Sequence, residues 1–262
     1  MEKLFVIKIG GNVIDREPAL ESFLAAFASV PGRKILIHGG GALATKIGEQ
    51  LAIDSKYVNG RRITDAATLN LVTMVYGGLI NKQVVAKLQQ RGVNAMGLTG
   101  ADGKLIQATR RPAGEVDYGF VGDLNSGSVN RPLLATLLAQ GVVPVVAPLT
   151  LGEGTMLNTN ADTIASALAV AMGDTHHVRL VYCFEKTGVL ENVQDPSSVI
   201  RHLDGNRYAE LLAAGALHDG ILPKLENAFA AIRAGVREVL IGDAADLTEN
   251  IGPETKGTLI TA

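Results

Sequence analysis

Lys8 stands in the apolar run Val6-Ile7-Lys8-Ile9, which closes on Gly10-Gly11. A lysine at a strand end either snorkels to water along its stem or acts as a fixed charge beside the turn. "KILIHGGGALATKIGEQL" repeats the plan, passing from an apolar run through Gly39-Gly40-Gly41 into a helical pattern. A helix N-terminus offers free N–H groups and partial positive charge, and glycine lets a phosphate approach the backbone closely. One such turn reads as a tight connection; two in successive units point to an anion site at the carboxyl ends of parallel strands. "LNTNAD" sets Asn158, Asn160 and Asp162 at alternating positions before a strongly helical run. An Asn160 cap with Asp162 in the first turn accounts for one polar residue, not three. "LHDGILPKLENAF" bends at Gly220 and Pro223 and puts Lys224 at a helix start, where its charge opposes the dipole and a bound anion would relieve the mismatch. "VNGRRITD" presents Arg61 and Arg62; arginine grips a carboxylate with two parallel hydrogen bonds, and solvated arginines are the competing reading.

The familiar phosphate fingerprints are missing. There is no G-x-x-x-x-G-K-[ST]; "GPETKGT" has its lysine before the second glycine and opens a strand. No G-x-G-x-x-G follows the first strand, which disfavours a dehydrogenase, and the protein-kinase set is absent. Cys183, the only cysteine, lies in "VRLVYCF" and reads as a buried structural thiol. A net charge of −2 gives no basic excess for nucleic acid or an anionic membrane surface. No apolar run approaches the roughly 20 residues of a membrane span, and no signal peptide is visible. The expectation is a cytoplasmic protein with no nucleic-acid or membrane partner.

These residues need a scaffold. Strand-like runs fall at 4–9, 34–37, 93–98, 142–147, 178–183, 237–241 and 258–261, and helical periodicity at 18–29, 41–51, 65–90, 130–140, 160–172, 206–214 and 224–234. Apolar strands alternating with helices predict a parallel sheet covered on both faces, an α/β chain. Segments 103–127 and 149–158 read as hairpins or flaps at one sheet edge. "ENVQDPSSVIRHLDG" reads as a further hairpin punctuated by Pro196 and Gly205. A lobe boundary falls near Met172-Gly173-Asp174, giving lobes 1–173 and 174–262.

In chain order KxGG, HGGG, NGxRxTD, NxNAD, a DGxxPK-like junction and a terminal GTxI resemble the N-acetylglutamate kinases of the amino-acid-kinase superfamily, from Lys8 to Ile260. The first two motifs are shared with carbamate, uridylate, glutamate and aspartate kinases; "NGRRIT" with "LNTNAD" carries the resemblance to acetylglutamate kinases in particular. The resemblance implies a three-layer α/β/α sandwich on a mainly parallel open sheet of about eight strands. It also implies an N-terminal lobe for the acylated amino acid and dimerisation, and a C-terminal lobe for ATP. The reaction would move the γ-phosphoryl of ATP, with Mg2+ bound through its phosphates, to the side-chain carboxylate of N-acetyl-L-glutamate, in arginine biosynthesis. Lys8 and Lys224 would contact the moving phosphoryl group, with Asp162 holding them. Gly10, Gly11, Gly40 and Gly41 would line the phosphate path, with Lys186 and Gly188 on the nucleotide side. Arg62 would clamp the α-carboxylate, Asn158 would bind other polar groups of the substrate, and Asn160, beside it, would be chiefly structural.

Three departures stand out. Glu185-Lys186-Thr187 occupy the place where the family carries an aspartate. Arg61 replaces an apolar residue, so a second carboxylate, as on N-succinyl-L-glutamate, is the alternative acyl group. The first strand begins at about residue 4, without the added helix of arginine-inhibited members, which implies a homodimer insensitive to arginine. The helix from Asp65 to about Gly77, with Leu69, Val72, Met74 and Tyr76, is the expected interface; core burial of those residues is the competing reading. A neighbouring kinase acting on glutamate, and a non-catalytic sensor of nucleotide or amino acid, complete the alternatives.

Overall fold

The computed structural model describes residues 1–262 except positions 193, 196, 216 and 218–220 and the side chain of Pro223. The punctuation read at Pro196 and Gly220, and the side chain of Pro223, lie outside the described residues. Among the described residues eight strands form one sheet: β1 (Lys3–Ile9), β2 (Arg33–His38), β3 (Ala95–Leu98), β4 (Val143–Val146), β5 (His177–Phe184), β6 (His202–Leu203), β7 (Glu238–Asp243) and β8 (Thr258–Ile260), in spatial order β6-β8-β7-β5-β1-β2-β4-β3. From β7 to β3 every pairing is parallel. At the other edge β8 runs antiparallel to β7 and parallel to β6, so the last apolar run enters the sheet reversed.

The helices are α1 (Gly11–Ile14), α2 (Glu17–Ser29), α3 (Gly41–Gln50), α4 (Ala66–Val72), α5 (Asn81–Gln90), α6 (Arg131–Ala139), α7 (Ala161–Met172), α8 (Gly205–Ala213), α9 (Leu222–Arg233) and α10 (Leu247–Asn250). Two apolar layers flank the sheet. One packs Leu4, Val6, Leu180 and Val239 against α6, α7 and α9; the other packs Phe5, Ile7, Leu36 and Val181 against α2, α4 and α5. Alternate strand residues face opposite layers, which is why parallel strands covered on both sides read as unbroken apolar runs. The lobe boundary expected at 173/174 falls between α7 and β5, and the sheet runs across it, because β5 pairs with β1.

The single helix expected over 65–90 is three segments. Asp65 caps α4 through Thr68 N at 2.8 Å, and a π-helical stretch, Thr73–Ile80, joins α4 to α5. The wider turn, built around Gly77-Gly78, carries Tyr76 and Ile80 against Gly40. The interface residues expected on this run need correction. Leu69, Val72 and Tyr76 are core, and only Met74, at 55%, is exposed. Their spacing satisfies a helix face buried in its own chain.

The expected flaps are two small hairpins. Thr109–Arg110 pairs with Gly122–Asp123, and Leu149–Leu151 with Met156–Asn158. Isolated bridges join Val121 to Asn158 and Thr64 to Gly119, drawing both hairpins and the Arg61–Arg62 segment over one end of the sheet. An antiparallel bridge between Leu190 and Val199 closes the third.

Candidate active site

The site gathers where β1, β2, β4 and β5 end. On β1 Leu4, Val6 and Lys8 share the face toward α7. Lys8 is buried at the end of this central strand, and its ammonium meets Asp162 Oδ1 at 2.8 Å. That oxygen is buried and, among the described residues, accepts no hydrogen bond of regular angle, so the ammonium compensates its charge by proximity. Asp162 is held by the start of α7. Asn160 Oδ1 accepts from the N–H groups of Asp162 at 2.8 Å and Thr163 at 3.1 Å. Tyr182 Oη donates to the Asp162 carbonyl at 3.2 Å. Burial, with the Asp162 charge behind it, raises the Tyr182 phenol above its ordinary value, so it remains a donor.

Lys224, from the first turn of α9, arrives at the same place. Its Nζ lies 3.6 Å from the centre of the Phe184 ring, and Lys8 Nζ lies 5.1 Å from it. Burial pushes the Lys224 ammonium below the usual lysine value, Asp162 pulls it back up, and Lys8 and Lys186 push it down. Positions 8, 162 and 224 thus converge around one aromatic ring.

Two clefts meet here. One, of about 420 Å³, is lined by Gly10, Gly11, Asn12, Phe184, Lys186, Gly188 and Lys224, among others. The other, of about 450 Å³, is lined by Gly40, Gly41, Arg61, Arg62, Tyr76, Arg111, Asn158 and Asn160, among others. Gly11 of the first is a neighbour of Gly39, Gly40 and Gly41 of the second. A Cβ on Gly39 would stand 3.3 Å from Gly11 N, and one on Gly11 would stand 3.9 Å from Gly40 N and Gly41 N. Gly40, at φ +146°, holds a backbone conformation that a side chain would strain, and a Cβ there would meet Ile80 Cδ1 at 2.2 Å, so that side chain would have to shift. Gly188 is pinned similarly, its Cβ falling 2.7 Å from Thr258 Oγ1. Among the described residues no side chain caps α3, so its first N–H groups face the turn.

In the larger cleft Arg62 is buried and braced. Nη2 donates to Gly41 O at 2.8 Å and Thr45 Oγ1 at 2.9 Å, Nη1 donates to Ser55 Oγ, and the Tyr57 ring lies 4.8 Å from the guanidinium carbon. Asn158 Nδ2 donates to Thr64 Oγ1 at 3.0 Å, which leaves its carbonyl oxygen available. Arg61 is exposed. Glu185 is exposed and reaches Arg16 at 3.5 Å, and Lys186 is exposed beside it.

Several lining residues were not singled out in the sequence. Arg111 pairs with Asp123 across the flap, Nε lying 3.0 Å from Oδ1, and this raises the arginine's pKa. Phe184 carries a usable signal, because alternation along β5 puts it two residues beyond Tyr182, the register partner of Lys8. His38, immediately before the glycine triplet, is fully buried. Its Nδ1 donates to Gly39 O at 2.8 Å and its Nε2 accepts from Asn81 Nδ2 at 3.1 Å. Burial pushes its pKa down to about 4. Cys183 is buried in the α2-side layer, and burial raises its thiol to about 12, as a structural cysteine requires.

A family model described as "Amino acid kinase family" matches residues 3–243. The acetylglutamate kinase of Bacteroides thetaiotaomicron is 55% identical over 97% of this chain and 99% of its own length. That of Cytophaga hutchinsonii is 54% identical over the whole of both chains. Among solved structures, smu.665 from Streptococcus mutans superposes with a TM-score of 0.76 at 29% identity, covering 99% of this chain and 98% of its own. The glycine-loop sheet, the residues converging at the carboxyl ends of its central strands and these full-length similarities agree, and the chain belongs to the amino acid kinase family.

Proposed function

We propose that the chain transfers the γ-phosphoryl group of ATP to the side-chain carboxylate of N-acetyl-L-glutamate, giving N-acetyl-L-glutamyl 5-phosphate in arginine biosynthesis. The observation that carries the chemistry is the convergence of Lys8, Asp162 and Lys224 where the two clefts meet. The choice of acid is supported by the names of relatives more than 50% identical over nearly the full chain.

A carboxylate oxygen forms a bond to the γ-phosphorus while the bond to the β–γ bridging oxygen breaks, and ADP leaves with that electron pair. No general base is required, because the acceptor is ionised near neutral pH. Catalysis is then positioning and charge stabilisation. Lys8 and Lys224 draw off charge from the phosphoryl oxygens, and Asp162 holds Lys8. Gly10, Gly11, Gly40 and Gly41 supply backbone next to the transferred group. Arg62, braced as described, takes the α-carboxylate with its remaining donors, and the free Asn158 oxygen accepts the substrate amide N–H. Asn160 acts through the α7 start. Lys186 and Gly188 border the nucleotide. Mg2+ would come with ATP and neutralise its phosphates; among the described residues no three His, Cys, Asp or Glu side chains group as a metal site.

The acyl cleft is lined by residues between 39 and 163, and the nucleotide cleft by 10–13 with 183–241, so the N-terminal lobe contributes its first glycine turn to ATP. Met74, Leu79 and Met96, exposed at 55%, 39% and 42%, are the surface we assign to a homodimer, tested by sedimentation with Met74→Lys.

ADP release with ATP and a panel of N-acyl amino acids tests the reading, and N-acetyl-L-glutamate is expected to be turned over best. Preference for N-succinyl-L-glutamate would give Arg61 a second carboxylate to bind. Turnover of none would leave a non-catalytic sensor.

A further inference from the structure

Lys8 and Lys224 present a physical problem before any phosphate arrives. Two ammonium groups converge, and the nearby carboxylate, Asp162, is in ion-pair contact with Lys8. What meets Lys224 is the ring of Phe184, 3.6 Å from Nζ, and the same ring lies 5.1 Å from Lys8 Nζ. Both distances are inside the roughly 6 Å within which an aromatic face attracts a cation.

The ring is itself held in place. Phe184 is half-buried at the end of β5, where the strand gives way to Glu185-Lys186-Thr187. It stacks on Tyr182, centroids 6.1 Å apart and planes 21° off parallel, and Tyr182 donates to the Asp162 carbonyl. Strand, ring pair and the start of α7 therefore form one rigid unit, with Lys8 and Lys224 resting on its end. A leucine would fill the same space but offer no negative face.

We propose that Phe184 is a positioning residue of the phosphoryl-transfer centre, its ring face holding the Lys8 and Lys224 ammonium groups together until a phosphate takes them over. The proposal rests on the kinase reading above. It assigns a role to a residue that borders the nucleotide cleft and has no polar atom of its own. The contact is strong enough to bias two flexible side chains and weak enough to be surrendered to a phosphate oxygen.

Replacing Phe184 with mono-, di- and trifluorophenylalanine weakens the negative ring face in steps while nearly preserving its shape. With ATP and the best acyl amino acid, kcat is expected to fall stepwise along the series. Phe184→Leu should lower kcat by about threefold to tenfold, with KM for the acyl amino acid little changed, and Phe184→Tyr should recover most of that loss. A role in packing alone would lower thermal stability in Phe184→Leu and leave the fluorinated series flat; active enzyme with a flat series overturns the proposal.

A second measurement is independent of turnover. In the chain without nucleotide, competitive amine acetylation read by mass spectrometry should label Lys224 about threefold faster in Phe184→Leu, because the ring favours the unreactive ammonium. Unchanged labelling overturns the proposal whether or not any acid is phosphorylated. Faster labelling in a chain that phosphorylates no acid supports the contact and removes the kinase reading instead.

Discussion

Lys8 sits on a strand with sheet on both sides, and its charge is tolerated there because Asp162 lies 2.8 Å away. Removing one partner of such a pair leaves the other uncompensated, whereas replacing both with apolar groups is often neutral. Lys8→Ala is expected to lower kcat by roughly 10²- to 10⁴-fold and, since Asp162 is partly exposed, to cost about 1–3 kcal/mol in urea denaturation. Lys8→Met with Asp162→Leu should regain most of that stability and none of the activity. Near-normal turnover in Lys8→Ala would refute its role. His38 gives a second test. Above pH 6.5 neither state of the chain holds its proton; between 6.5 and about 4 the unfolded chain binds it and the native chain does not. Stability should therefore fall as pH falls through that window, by on the order of 3 kcal/mol from this group. His38→Asn should flatten the slope of stability against pH there. Lys8 and Lys224 were legible because each is a charge in a place that disfavours charge, whereas Asp162 and Arg62 were legible only through the polar alternation of "LNTNAD" and the "NGRRIT" resemblance. His38 was not, because a buried neutral ring looks the same in sequence whether it packs or positions, and Phe184 became so only once the register of β5 against β1 was known.

At the scale of elements, the strand-end glycines and the helix starts do the placing. Asn160 and Asp204 are both caps, accepting at 2.8 Å from Asp162 N and Arg207 N respectively. Either changed to alanine should cost about 1 kcal/mol. Only Asn160→Ala should also lower kcat, because α7 carries Asp162; equal kinetic effects from the two would separate capping from catalysis. Gly40→Ala should lower activity sharply and destabilise by roughly 1–3 kcal/mol, since the φ of +146° strains any side chain and the 2.2 Å approach would displace the end of Ile80 beside the glycine turn. The seven apolar runs each appear as strands; for the central ones the reason is that parallel strands buried on both faces leave a composition signal that needs no partner. The π-helical stretch left none, nor did the Thr109–Arg110 and Gly122–Asp123 strands, which pair only after separated segments have met; the Tyr57–Val58 and Arg61–Arg62 pair is instead a local hairpin closed by Asn59-Gly60, both at positive φ.

For the whole molecule, a parallel sheet covered on both faces was legible from alternation of runs and the three-layer sandwich from the family resemblance; the reversed β8 edge was not, since strand direction is set by where the chain returns rather than by composition. The sheet spans both proposed lobes through the β1–β5 pairing. Urea unfolding followed by circular dichroism and by tyrosine fluorescence should therefore give one coincident transition. ATP at about 100 times its Kd should raise the unfolding free energy by about 2.7 kcal/mol. Two separated transitions would mean that the lobes melt independently despite their shared sheet. Cys183, sealed beside that central pairing, has a further use. It is the only thiol in the chain, so uptake of a disulfide reagent would run as a clock on rupture of the sheet's middle, counting openings one molecule at a time with no engineered probe.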